Sequence, residues 1–134
     1  MNKNDYFILR NRFLDYTYKD INLVLQNDKQ VYSILFDIPQ KSIIKDNDTI
    51  SIALMFGLNT HIYAKTGQVI TGLEKNPGVM KAMQSIFISI PQALDGFERI
   101  ANHEYTDSEY IRVYLRTMSG LKYRELRNND QIDR

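Results

Sequence analysis

Few residues in this chain have the types and spacing that chemistry requires. Gly67-Gln-Val-Ile-Thr-Gly72 has the outer spacing of a phosphate-binding loop, but Leu73-Glu74 stands where a lysine and a hydroxyl residue must be. Without that lysine nothing neutralises the β- and γ-phosphate charge, so the segment reads as a hairpin. His61 and His103 are the only histidines. His103, Glu104, Asp107 and Glu109 make an oxygen-rich group, yet one imidazole among solvated carboxylates is a poor zinc site. Charges flanking the start of a helix account for them better. Asp46-Asn47-Asp48 resembles the opening of a calcium loop but lacks the glycine and the bidentate glutamate that must follow, leaving a turn and an N-cap. Ser85 and Ser89 fall within an apolar helical pattern rather than a strained nucleophile elbow. Zero Cys removes disulfides, thiolate metal sites and cysteine nucleophiles together. The expectation is a protein that is not an enzyme, with no cofactor and no metal site.

One cluster remains. Tyr110, Arg112, Tyr114, Arg116, Lys122, Tyr123, Arg124 and Arg127 bring basic and aromatic side chains together near the C-terminus. Tyr and Arg are enriched at protein–protein hot spots, which makes these eight the candidate interaction residues. If residues 107–118 and 121–127 were helices joined at Ser119-Gly120, the outline would be a helix-turn-helix, with Arg clamping phosphates. Against that, 17 basic and 16 acidic residues leave a net charge of only +1, so long-range attraction to a polyanion is weak. A protein partner or self-association is the primary reading, and a small nucleic-acid-binding regulator is the alternative.

The elements that must position these residues follow from periodicity. Residues 6–14, 21–26 and 31–38 are rich in β-branched and aromatic types and read as strands. Asn27-Asp28-Lys29-Gln30 supplies turn chemistry between the last two, and Pro39 closes the third. Residues 41–47 form a polar connection anchored by Ile43 and Ile44. Residues 49–56 fit either a buried strand or a helix capped by Asp48. Residues 61–65 and 68–73 flank Thr66-Gly67 as a hairpin. After the break at Asn76-Pro77-Gly78, apolar residues at 79, 80, 83, 86, 87 and 90 describe one helical face, ended or kinked by Pro91. Ala93, Leu94, Phe97, Ile100 and Ala101 continue as a second amphipathic helix. Thr106-x-x-Glu109 reads as a capping box, which tips residues 107–118 towards helix, with Gly120 as its C′ residue. The competing alternation of Ile111, Val113 and Leu115 fits a strand with Ser119-Gly120 as its turn.

The expected architecture is therefore α+β: an antiparallel sheet over residues 6–73, a helical pair over 79–103, and a helix or strand element over 107–127. At 134 residues, with 43% hydrophobic and 25% charged, the chain suits one globular domain over residues 1–127 and a polar tail over 128–134. No apolar run approaches the roughly 20 residues of a membrane span, and the N-terminus lacks an export signal. With 16 Ile, 11 Asn and 9 Tyr against 3 Pro, the composition has the bias of AT-rich coding. It points to a bacterium or its bacteriophage. The functional expectation is a non-enzymatic, oligomeric protein-interaction or assembly subunit, in the cytoplasm or, for a phage, in the virion, with no membrane partner. Exposed sheet edges would be its route to pairing with another chain.

Overall fold

Seven antiparallel strands form one sheet, and a helix covers part of each face. The structure, a computed structural model, describes residues 3–40, 48–56, 59–106 and 108–127. In chain order the elements are α1 (Lys3–Asp15), β1 (Ser33–Gln40), β2 (Asp48–Met55), β3 (Asn59–Ala64), β4 (Val69–Ile70), α2 (Pro77–Ser89), β5 (Glu98–Arg99), β6 (Ile111–Thr117) and β7 (Gly120–Leu126). Across the sheet they lie in the order β4-β3-β2-β1-β6-β7-β5. The class is α+β.

Strand alternation sorts the core into two faces. Leu35, Ala53, Tyr63, Tyr114 and Leu121 point to the side where α1 packs, around Tyr6, Phe13 and Leu14. Ile34, Leu54, Val113 and Leu115 point to the other, under Met83 and Phe87 of α2 and Leu94 of the following turn. α2 begins within the expected break, two residues before Val79: the Asn76 Oδ1 accepts from the Gly78 and Val79 amides at 2.9 and 3.1 Å, and Pro77 takes the first helical position.

Residues 6–14, expected to be a strand, are helical. Tyr6, Arg10, Phe13 and Leu14 are its buried positions, at the spacing of one helical face. Residues 21–26 form no strand. The Leu23 amide bonds back to the Tyr18 carbonyl at 2.9 Å and Asn22 takes a φ of 55°, so the chain turns there. The turn at residues 27–30 exists but joins no hairpin. β1 runs past Pro39 to Gln40, because beyond Asp37 it pairs with β2 alone and no second ladder needs an amide. Residues 49–56 resolve to strand β2 followed by a turn at Phe56.

The second helix of the expected pair is absent over residues 93–103. Pro91 withholds a donor, the chain tightens into a 3₁₀ turn over Ile90–Gly96, and Glu98–Arg99 then pair with β7. The preferred helix over 107–118 is also overturned. β6 and β7 form a hairpin whose turn closes at Gly120, with a φ of 118° that favours glycine. Seven cross-strand pairs there outweigh a local capping signal. Asp46, Asn47, Ile43, Ile44, Asp107 and the tail over 128–134 lie outside the described residues.

Candidate interaction surface

The hairpin splits the Arg/Tyr cluster between two faces. Arg112 and Tyr114 are buried on the α1 side, and Arg116 beside them donates from Nε to the Leu14 carbonyl at 2.6 Å. Tyr123, half-buried, shares that side and packs its ring 5.0 Å from Tyr114. Lys122 and Arg124 alternate to the opposite side of β7, where Arg124 lies against Gly96. At the strand ends the Arg127 guanidinium stacks over the Tyr110 ring at 4.8 Å and pairs with Glu125 at 2.8 Å. No two-helix reading unit is formed, and the eight residues make no single basic face.

What the α1 side holds instead is a buried polar network. Register places Tyr63, Ser51, Asp37, Arg112 and Glu125 in one row across five strands. Arg10 reaches down from α1 and donates to Asp37 from Nη2 at 2.8 Å and from Nε at 3.1 Å. Its Nη1 donates to the His103 carbonyl at 2.9 Å. Ser51 donates to the other Asp37 oxygen at 2.6 Å, so Tyr6, 2.7 Å away, must donate to Ser51. Arg112 lies 3.8 Å from Asp37 and donates to Thr106 at 2.7 Å. The Tyr105 ring lies within 5.1–5.3 Å of the charged groups of Arg10, Lys65 and Arg112. Burial and the Asp37 charge push the Tyr6 hydroxyl far above the ordinary phenol range. Burial would lower the Arg10 pKa, but its bonds to Asp37 outweigh that and raise it. Such a network fixes the position of α1 on the sheet. It contains no nucleophile–base pair aimed into a cavity.

Two clefts flank this network. One, of about 570 Å³, is walled by Asn11, Asp15, Arg99, His103, Glu104 and Arg116. There His103 Nε2 lies 2.6 Å from Asp15 Oδ1, a contact that ties the end of α1 to the segment before β6. The other, of about 510 Å³, is formed by Arg12, Phe13, Tyr16, Asp20, His61 and Tyr63, with the last two rings stacked at 6.0 Å. Burial pushes the Tyr63 hydroxyl up to about 12. Among the described residues no group of three metal-ligating side chains converges. Gly67 and Gly72 lie in the β3–β4 turn and before a 3₁₀ turn, not around a phosphate cradle.

The sheet edges are formed by short strands. Both edge strands, β4 and β5, have two residues. The Thr60 amide on β3 is capped at 2.9 Å by the Glu74 carboxylate, whose pKa that bond lowers. Short edges and a side-chain cap are how sheets avoid unwanted pairing.

The outer side of α2 is different. Ile88 is 76% exposed beside Phe56 at 38%, and the two border a groove of about 450 Å³ with Met80, Met83, Gln84 and Phe87. Over residues 76–94 the only charged residue is Lys81, in a chain that is 25% charged. An exposed helix face normally carries the charges that a surface needs, so this one is a candidate contact surface. The charge-poor run is visible in the sequence; it escapes a search for Arg/Tyr hot spots because the face holds neither residue.

No helix of the described residues is long and apolar enough to cross a membrane. No family model, curated protein or solved structure matches the chain significantly.

Proposed function

We propose that the protein is a non-enzymatic interaction subunit that self-associates through the outer face of α2. The observation that carries this reading is the charge-poor surface around Ile88, with Phe56 and Phe87 in edge contact at 5.5 Å behind it. A face with one charge offers nothing to steer or hold a charged partner, and its complement must itself be close to neutral. A second copy of this chain supplies such a face, and a two-fold contact buries Ile88 on both sides at once. The short edge strands favour docking through side chains over strand pairing. The AT-biased composition favours a bacterium or bacteriophage as the source, hence the cytoplasm or a virion as its place.

Light scattering after size exclusion tests the reading. The wild-type chain at high micromolar concentration should run as a dimer or larger assembly. Ile88→Asp should run as a monomer with an unchanged circular dichroism spectrum. A wild-type monomer, or a dimer indifferent to Ile88→Asp, defeats it.

A further inference from the structure

We infer that the cleft between α1 and β3 binds a planar aromatic carboxylate, with Arg12 taking the carboxylate and Phe13, His61 and Tyr63 holding the ring system. The cleft lies on the α1 side of the sheet, across from the α2 face, so the inference stands apart from the self-association proposed above. Its volume of about 510 Å³ falls in the range of small-molecule sites.

Helix and strand spacing build it. Arg12 and Phe13 come from the last turn of α1. His61 and Tyr63 stand two apart on β3 and so project from the same side of the sheet. Their rings are parallel to within 13°. Phe13, Met55 and Tyr63 are buried and make the floor, and Leu9 and Ile21 extend its apolar lining. The rim is exposed and polar, with Arg12, Tyr16 and Asp20. An apolar floor under a few convergent polar groups is how small-ligand sites combine affinity with orientation. A flat ring gains from this floor both buried area and the offset or edge-on contacts that aromatic rings prefer.

The polar groups set the charge of the ligand. Arg12 forms no ion pair among the described residues. Asp20 is already engaged, since its Oδ2 accepts from the Thr17 amide and hydroxyl at 2.8 and 3.1 Å. Its charge still stands on the rim and favours a monoanion over a phosphate dianion. A guanidinium grips a carboxylate through two parallel bonds. Tyr63 lies within electrostatic reach of Tyr16 and Arg12, and burial keeps its hydroxyl protonated as a further donor. His61 Nδ1 is buried without a hydrogen-bond partner, so a bond from this ring to a ligand comes from Nε2. The cleft at His103 differs, because His103 is bound to Asp15 and Arg116 to the Leu14 carbonyl.

2-Naphthoate serves as the probe, with 2-naphthamide as its uncharged counterpart. A titration followed by backbone amide chemical shifts should place 2-naphthoate at Arg12, Phe13, His61 and Tyr63, one molecule per chain. The Kd should be about 1 mM or lower, as about a dozen heavy atoms give at the efficiency of drug-sized ligands. Arg12→Gln should weaken 2-naphthoate about tenfold, the loss of one charge-assisted pair, and leave 2-naphthamide unchanged. Its melting temperature should match wild type, because Arg12 is exposed and makes no ion pair. His61→Ala should weaken both probes by removing part of the aromatic wall. Inorganic phosphate at the same concentration should shift none of these amides. Shifts that map elsewhere, such as the groove at Phe56 and Ile88, overturn the site. So does a 2-naphthoate affinity indifferent to Arg12→Gln. Equal binding of the two probes, or an equal response to phosphate, overturns the carboxylate assignment.

Discussion

Arg10 and Asp37 form an ion pair whose side chains are 0% and 1% exposed, joining α1 to the central strand of the sheet. Charges that deep persist only when each finds its opposite and its hydrogen bonds. Asp37 serves two guanidinium groups at once, since Arg112 lies 3.8 Å from the same oxygen.

That asymmetry predicts which partner matters more. Asp37→Ala leaves two buried arginines facing each other and should cost about 3–5 kcal/mol in urea denaturation. Arg10→Met keeps the buried volume filled and leaves Asp37 bonded to Ser51 and near Arg112, so it should cost clearly less. If Arg10→Met proves the more destabilising of the two, the charge-balance account of this network fails.

Alkaline pH should unfold the protein through its tyrosines. Five of the nine, Tyr6, Tyr32, Tyr63, Tyr114 and Tyr123, have pKa values raised chiefly by burial, with Tyr63 and Tyr123 pushed up to about 12. A raised phenol keeps its proton in the folded state and loses it in the unfolded state. The unfolded chain therefore binds fewer protons above its ordinary value of 10.0, and stability falls as pH rises from 10 towards 12. Below pH 10 these groups are neutral in both states and their contribution is whole. Tyrosinate absorbance from the buried residues should appear together with loss of the circular dichroism signal. A smooth titration of all nine tyrosines with the fold intact would contradict their placement.

The α2 side offers two graded tests. Phe87 is buried against the Phe56 ring and the sheet, so Phe87→Ala should cost about 3–5 kcal/mol. Asn76 accepts two otherwise unpaired amides at the helix start, and Asn76→Ala should cost about 1 kcal/mol. Thermal denaturation measures both, and equal effects would mean that α2 is held by its cap rather than by its packing.

These elements also show what could be read without coordinates. α2 was legible because its core face, Met83 and Phe87, repeats at helical spacing and its start carries Asn-Pro. The β3–β4 hairpin was legible because its alternation and its Gly67 turn agree. α1 was not, because Arg10 occupies an inward position of its helical face and reads as surface. Nothing in the linear pattern reveals that Asp37, on a strand far along the chain, waits to receive it. At residues 107–118 a capping box and an alternating pattern were both present, and pairing with β1 and β7, a long-range term, decided between them. The candidate contact surface escaped because its signal is a scarcity of charge, with Lys81 alone over residues 76–94.

Arg112 and Arg116 offer a test of the nucleic-acid alternative. As helix-surface residues they would clamp phosphates, and replacing both with alanine would flatten the salt dependence of binding by about two units. In the fold Arg112 is 3% exposed and spends its guanidinium on Thr106 and Asp37, while Arg116 holds the carbonyl of Leu14 at the end of α1. Arg112→Ala with Arg116→Ala should therefore lower the melting temperature by loosening α1 from the sheet. Affinity for duplex DNA should stay at weak background in wild type and variant alike. Fluorescence anisotropy at about 150 mM salt checks the second part, where counterion release no longer masks the absence of specific contacts. Submicromolar binding by the wild type, lost in a double variant that keeps its wild-type melting temperature, would return these arginines to the surface and the protein to the nucleic-acid reading.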